Sequence, residues 1–122
     1  MGELQGIVRF TFHPGQVEEF KRLSARCLEI VRAKDDGTLQ YDTFLNADES
    51  QAIVLERFRD AEALLLHSRN MAELMEPIMA TATVSGELLG DLSDELRAQM
   101  EGSPVGLFSL YQSLSPPSGT GA

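Results

Sequence analysis

The stretch VLERFRDAEALLLHSRNM, residues 54–71, changes its period in the middle, and that change decides the fold. Val54, Glu56 and Phe58 fall two apart, the repeat of a strand, whereas Leu64, Leu65, Ser68 and Met71 recur at helical spacing. Asp60 stands at the junction, where its carboxylate can accept the free amide protons of a first helical turn, and Glu62 adds favourable charge there. The apolar positions continue through Met75 and Met79, so the helix is expected to kink or end around Glu76, just before Pro77.

Upstream, TLQYDTFLN places Leu39, Tyr41, Thr43 and Leu45 on one strand face and Gln40, Asp42 and Phe44 on the other. The polar run NADES turns the chain back into Ala52–Arg59, which makes the two segments a hairpin. An earlier strand is expected over Leu4–His13, where Val8, Phe10 and Phe12 alternate with Arg9 and Thr11 until Pro14 and Gly15 end it. A helix from Gln16 to about Lys34 follows, with Val17, Phe20, Leu23, Cys27, Ile30 and Val31 as its apolar stripe. Asp35-Asp36-Gly37 is its stop, Gly37 being free to take the left-handed conformation of a helix exit. Downstream come a strand over Ala82–Leu89, a short helix capped by Ser93, and a last strand over Val105–Leu114. Strand, helix, strand, strand, helix, strand is the split βαβ order, so the fold class is α+β: a ferredoxin-like βαββαβ sandwich with an added C-terminal helix and strand. One domain covers residues 1–114, and SPPSGTGA, residues 115–122, reads as a flexible tail.

Composition narrows the function classes. A chain of 122 residues with 43% hydrophobic and 24% charged residues suits one globular core. Nineteen acidic against ten basic residues give a net charge of −9, which repels a nucleic-acid backbone or an anionic membrane surface, so neither is expected as a partner. The chain has no apolar run long enough to span a bilayer and no leader-like N-terminus, and a cytoplasmic location is expected. A single cysteine excludes an internal disulfide, and Cys27, in the buried stripe, reads as core. Phosphate loops, a GxSxG elbow and HExxH are absent, and two histidines far apart make a weak metal case, so neither metal nor cofactor is expected.

Three residues carry candidate chemistry. His67 lies two turns into the second helix, on the margin of the apolar stripe, where it can border a cavity between helix and sheet. The ordinary imidazole pKa of about 6.5 suits proton transfer at neutral pH. A packed, hydrogen-bonded histidine is the competing reading. Glu56 sits between Val54 and Phe58 on one strand face, where an unpaired carboxylate is expensive, so it needs a cavity or a partner such as Arg9 or Arg57. Tyr41, on the neighbouring strand, can point its hydroxyl into the same pocket or serve as core. His13, before a proline at a strand end, reads as a loop residue.

The order of elements, together with HPGQVEEF after the first strand, GTLQYDTF after the glycine stop, LERFRD entering the second helix and LLLH ending seven residues after Asp60, resembles the antibiotic biosynthesis monooxygenase superfamily. The likeness covers roughly residues 4–90, and the C-terminal helix and strand look like a longer variant. It implies a dimeric α/β barrel: a homodimer whose sheets pack face to face. Apolar residues on both sides of the first strands, Ile7 with Phe12 and Phe44 with Leu45, agree with two covered faces. The last strand is expected to cross to the partner's sheet and close an edge.

By the same resemblance, His67 borders a substrate pocket, and the activity is oxygenation of a quinol, anthrone or similar electron-rich aromatic without metal or flavin. His67 would serve as base, Tyr41 as donor to an oxygen anion, Glu56 as a further site residue, and Met71, Met75 and Phe44 as apolar walls. Haem-degrading relatives use a pocket tryptophan and this chain has none, which argues against that activity. Two other classes stay open on the residues: a non-catalytic, stress-associated or ligand-binding dimer for a small apolar or aromatic molecule, and an isomerase of a small metabolite.

Overall fold

The computed structural model describes residues 2–114. The tail expected over residues 115–122 lies outside the described residues. Its elements run β1 (Leu4–Phe12), α1 (Val17–Lys34), β2 (Thr38–Leu45), β3 (Gln51–Phe58), α2 (Ala61–Asn70), α3 (Ala72–Met79), β4 (Ala82–Leu89), α4 (Asp94–Met100) and β5 (Val105–Phe108). The sheet order is β2-β3-β1-β4-β5, in which β1 pairs antiparallel with both β3 and β4, and β2 antiparallel with β3. This is the ferredoxin-like α+β arrangement with one strand added beyond β4.

The two-residue period of the strands sorts their side chains by face. Leu4, Phe10, Ala52, Val54, Phe58, Ala82 and Leu88 point toward the helices and are buried, against Phe20, Leu23 and Cys27 of α1, Leu64 and Leu65 of α2, and Leu74 and Ile78 of α3. The caps fall where short polar side chains precede apolar runs. Asp60 accepts from Ala63 N at 2.9 Å to open α2, and Ser93 accepts from Leu96 N at 3.2 Å to open α4. Gly37, with φ of +99°, lets the chain leave α1 and enter β2. His13 is an exposed turn residue whose backbone N–H donates to Thr81 O.

Two expectations need correction. The helix after Asp60 breaks at Met71 into α2 and α3, not around Glu76, and Pro77 lies inside α3. Because α3 restarts at Ala72, Pro77 deprives only the Glu73 carbonyl of an intrahelical donor, and both residues face solvent. The last strand covers Val105–Phe108 instead of Val105–Leu114, and it pairs in parallel with β4 of its own chain. Leu96 of α4, with no exposed surface, packs with Leu4, Phe58 and Leu88 and so ties this extension to the sheet. Residues 109–114 leave the sheet with Leu110, Tyr111 and Leu114 exposed.

Candidate active site

Six elements, β1, β2, β3, α1, α2 and α3, converge on one cavity between the sheet and the helices. Glu56 stands on β3, directly across from Gly6 of β1 on one side and Tyr41 of β2 on the other, so all three share the helix-facing side. Gly6 leaves the space the carboxyl needs, since a Cβ there would meet Glu56 Oε1 at 2.9 Å. His67 comes down from α2, and Cys27 and Ser24 come from α1. Phe10, Phe20, Val54, Leu74 and the methionines 71, 75 and 79 form the apolar walls. Phe44, expected among them, points to the opposite face of β2 and is 52% exposed, because its neighbour in register is Ile53 rather than Glu56.

The cavity has a volume of about 100 Å³. Among the described residues no lysine or arginine lines it, so its polar end consists of Tyr41, Glu56, His67 and the two α1 side chains.

His67 is held by Asp35, a residue whose place along the sequence suggests only a helix stop. Its Nδ1 lies 2.5 Å from Asp35 Oδ2, and the Asp35 side chain is 0% exposed. That carboxylate also accepts from Asn70 Nδ2 at 2.7 Å and from Thr38 Oγ1 at 3.1 Å. An anion just past the C-terminus of α1 opposes the helix dipole, and these donors offset that cost. Nδ1 thus faces Asp35 and Nε2 faces the cavity. The Tyr41 and Phe58 rings flank the imidazole, with centroids 5.5 and 5.2 Å away.

On the cavity side, His67 Nε2 is 4.0 Å from Glu56 Oε2, and the Glu56 side chain is 14% exposed. The arginines proposed as partners are elsewhere: Arg9 pairs with Glu87, and Arg57 with Glu3 at 3.2 Å. Period two sends Arg57 to the opposite face from Glu56, which is why neither can reach it. Burial pushes the Glu56 carboxyl above the ordinary carboxylate range; His67 pulls against this and Asp35 reinforces it. Burial also pushes the Tyr41 phenol upward, with Cys27 and Glu56 adding to the effect, so Tyr41 keeps its proton and remains a donor. The Cys27 thiol is raised by burial too, which keeps it in the unreactive thiol form.

The structure thus brings His67, Glu56 and Tyr41 together and adds Asp35, Thr38, Asn70 and Gly6. Among the described residues, no cluster of histidine, cysteine and carboxylate side chains suits a metal ion, and no helix is long and apolar enough to cross a membrane.

The family model for antibiotic biosynthesis monooxygenase matches residues 6–73. No curated protein matches the chain. Among solved structures, MupZ from Pseudomonas fluorescens is 27% identical over 97% of this chain and 98% of its own, with a TM-score of 0.82. PA3566 from Pseudomonas aeruginosa is 26% identical over 76% of this chain and 97% of its own, with a TM-score of 0.64. The N63A mutant of SnoaB, a cofactor-independent oxygenase from Streptomyces nogalater, is 18% identical over 76% of this chain and 96% of its own, with a TM-score of 0.62, a likeness of fold. MupZ covers nearly the whole chain, whereas the other two cover about three quarters of it.

Proposed function

The chain belongs to the antibiotic biosynthesis monooxygenase family, and from that premise we propose that it is a cofactor-independent monooxygenase acting on a quinol, anthrone or similar electron-rich aromatic. The observation that carries this reading is the single polar end of an otherwise apolar cavity, where a base, a phenolic donor and a buried carboxyl face the same space. His67 Nε2 takes the proton from the substrate hydroxyl or activated carbon. Tyr41 donates a hydrogen bond to the oxygen on which negative charge collects, and Glu56, held toward its protonated form by burial, is a second donor. The deprotonated substrate supplies the electrons that reduce dioxygen. One oxygen atom enters the ring system as a carbonyl and the other leaves as water, so no external reductant is required. SnoaB, a cofactor-independent oxygenase of the same fold, supports the reading.

A second reading, proton-transfer isomerisation of a small metabolite, draws on one observation: His67 and Glu56 oppose each other at 4.0 Å and could take and return a proton without oxygen. In either case the working unit is a homodimer closed over the helix-free sheet face. An oxygen-uptake screen across hydroquinones and anthrones separates the two. Uptake that falls by at least about a hundredfold in His67→Ala is expected for the oxygenase. Uptake unchanged in that variant removes His67 as the base, and no uptake across the panel, with proton exchange into a bound ketone, favours the isomerase.

A further inference from the structure

The environment of Asp35 is more elaborate than a helix stop requires. Its carboxylate has no exposed surface and lies where the α1 dipole disfavours it, yet three side chains from β2 and α2 converge on its two oxygens. The oxygens are divided in use. Asn70 Nδ2 donates to Oδ1, while Oδ2 receives Thr38 Oγ1 and His67 Nδ1. The carboxylate cannot turn away from His67 without breaking the Asn70 bond.

We propose that Asp35 is a positioning residue that, oriented by Asn70, holds His67 as the Nδ1–H tautomer and so keeps the Nε2 lone pair directed into the cavity. The proposal rests on the reading of His67 as the base, since only then does the tautomer matter for turnover. A neutral imidazole has one donor and one acceptor nitrogen, and fixing the first on Asp35 assigns the second to the substrate. When Nε2 accepts the substrate proton, the Asp35 carboxylate, 2.5 Å from Nδ1, balances the charge that appears on the ring.

Asp35→Asn tests this because Asn70 dictates how the new amide sits. Asn70 Nδ2 also donates to the Lys34 carbonyl at 3.3 Å, which keeps its NH2 turned this way and in need of an acceptor opposite it, so the amide oxygen occupies the Oδ1 place and the amide NH2 faces His67 and Thr38. That NH2 donates to Nδ1, and the neutral ring must then carry its proton on Nε2, where it can no longer accept one. Adding Asn70→Asp reverses the demand: a carboxylate at 70 draws the amide NH2 to itself, the amide oxygen turns back to His67, and the Nδ1–H form returns.

The measurement is nitrogen-15 NMR of histidine-labelled protein above the titration of the ring, with His13→Gln to assign the two signals. Expected are Nδ1–H for His67 in the wild-type chain, Nε2–H in Asp35→Asn, and Nδ1–H again in the Asp35→Asn, Asn70→Asp pair. On an active substrate, kcat of the single variant falls by on the order of a hundredfold to ten-thousandfold with KM little changed, and the pair recovers part of it. An Nε2–H ring in the wild type, or an Nδ1–H ring in folded Asp35→Asn, overturns the proposal. The wild-type spectrum decides even if the single variant does not fold. Because the tautomers are read without turnover, silence in the oxygen-uptake screen would sink the proposed activity and leave this inference standing.

Discussion

Glu56 is the residue whose protonation should be visible from outside. Burial holds its carboxyl above its ordinary value of 4.5, with His67 opposing and Asp35 reinforcing. The folded chain therefore retains a proton that the unfolded chain releases, so this contribution to stability is complete below about 4.5 and is lost as the pH rises through the folded value. Glu56→Gln cannot ionise. Its melting temperature is expected to gain on that of the native protein as the pH rises through this window, and thermal melts between about pH 4 and pH 8 check it. A difference that stays constant with pH would contradict the buried, proton-retaining carboxyl. Glu56 and His67 were legible as candidates because each is a polar residue at an apolar position. Asp35, Thr38 and Asn70 were not, since Asp35 and His67 are 32 residues apart and each has an adequate local role as a stop, strand opener or helix end.

At the scale of elements, α2 decides whether the site exists, because it carries both His67 and Asn70. Asp60 opens it through one hydrogen bond to Ala63 N. Asp60→Ala is expected to cost about 1 kcal/mol of unfolding free energy in denaturant titration, the usual value of a lost N-cap. A variant as stable as the native chain would mean that tertiary packing, not the cap, holds this end. The strands, α1 and both side-chain caps could be read from period and punctuation. The break at Met71 could not: its backbone is helical, α3 begins with no side-chain cap, and Met71 is only 2% exposed among core residues. A junction made by packing leaves no turn residue in the chain to announce it. The last strand ended early for a related reason. Its alternation runs on through Leu110, but parallel pairing with β4 stops at Leu89 opposite Phe108, and Gly90 N then takes the Phe108 carbonyl at 2.8 Å.

For the whole molecule, the helices cover one sheet face and leave the other with Phe44 52% and Ile53 39% exposed and paired across β2 and β3. The proposed homodimer covers this face. Ile53→Asp places a charge at its centre and is expected to convert a dimer to a monomer by light scattering, while the cavity on the other face keeps its lining; a wild-type monomer would refute the proposal. What the sequence determined by itself was whatever depends on neighbours along the chain: strand and helix periods, the caps at Asp60 and Ser93, the exit at Gly37, and hence the ferredoxin-like order. It also marked His67, Glu56 and Tyr41 as polar groups in apolar company. Only the tertiary structure decided that these three share a cavity, that Glu56 has a histidine and not an arginine beside it, and that a buried aspartate stands behind that histidine. Local order follows from short-range sterics and hydrogen bonding, whereas a site assembled from β1, β2, β3, α1, α2 and α3 comes into being only when the chain closes and the register of each strand selects which side chains meet.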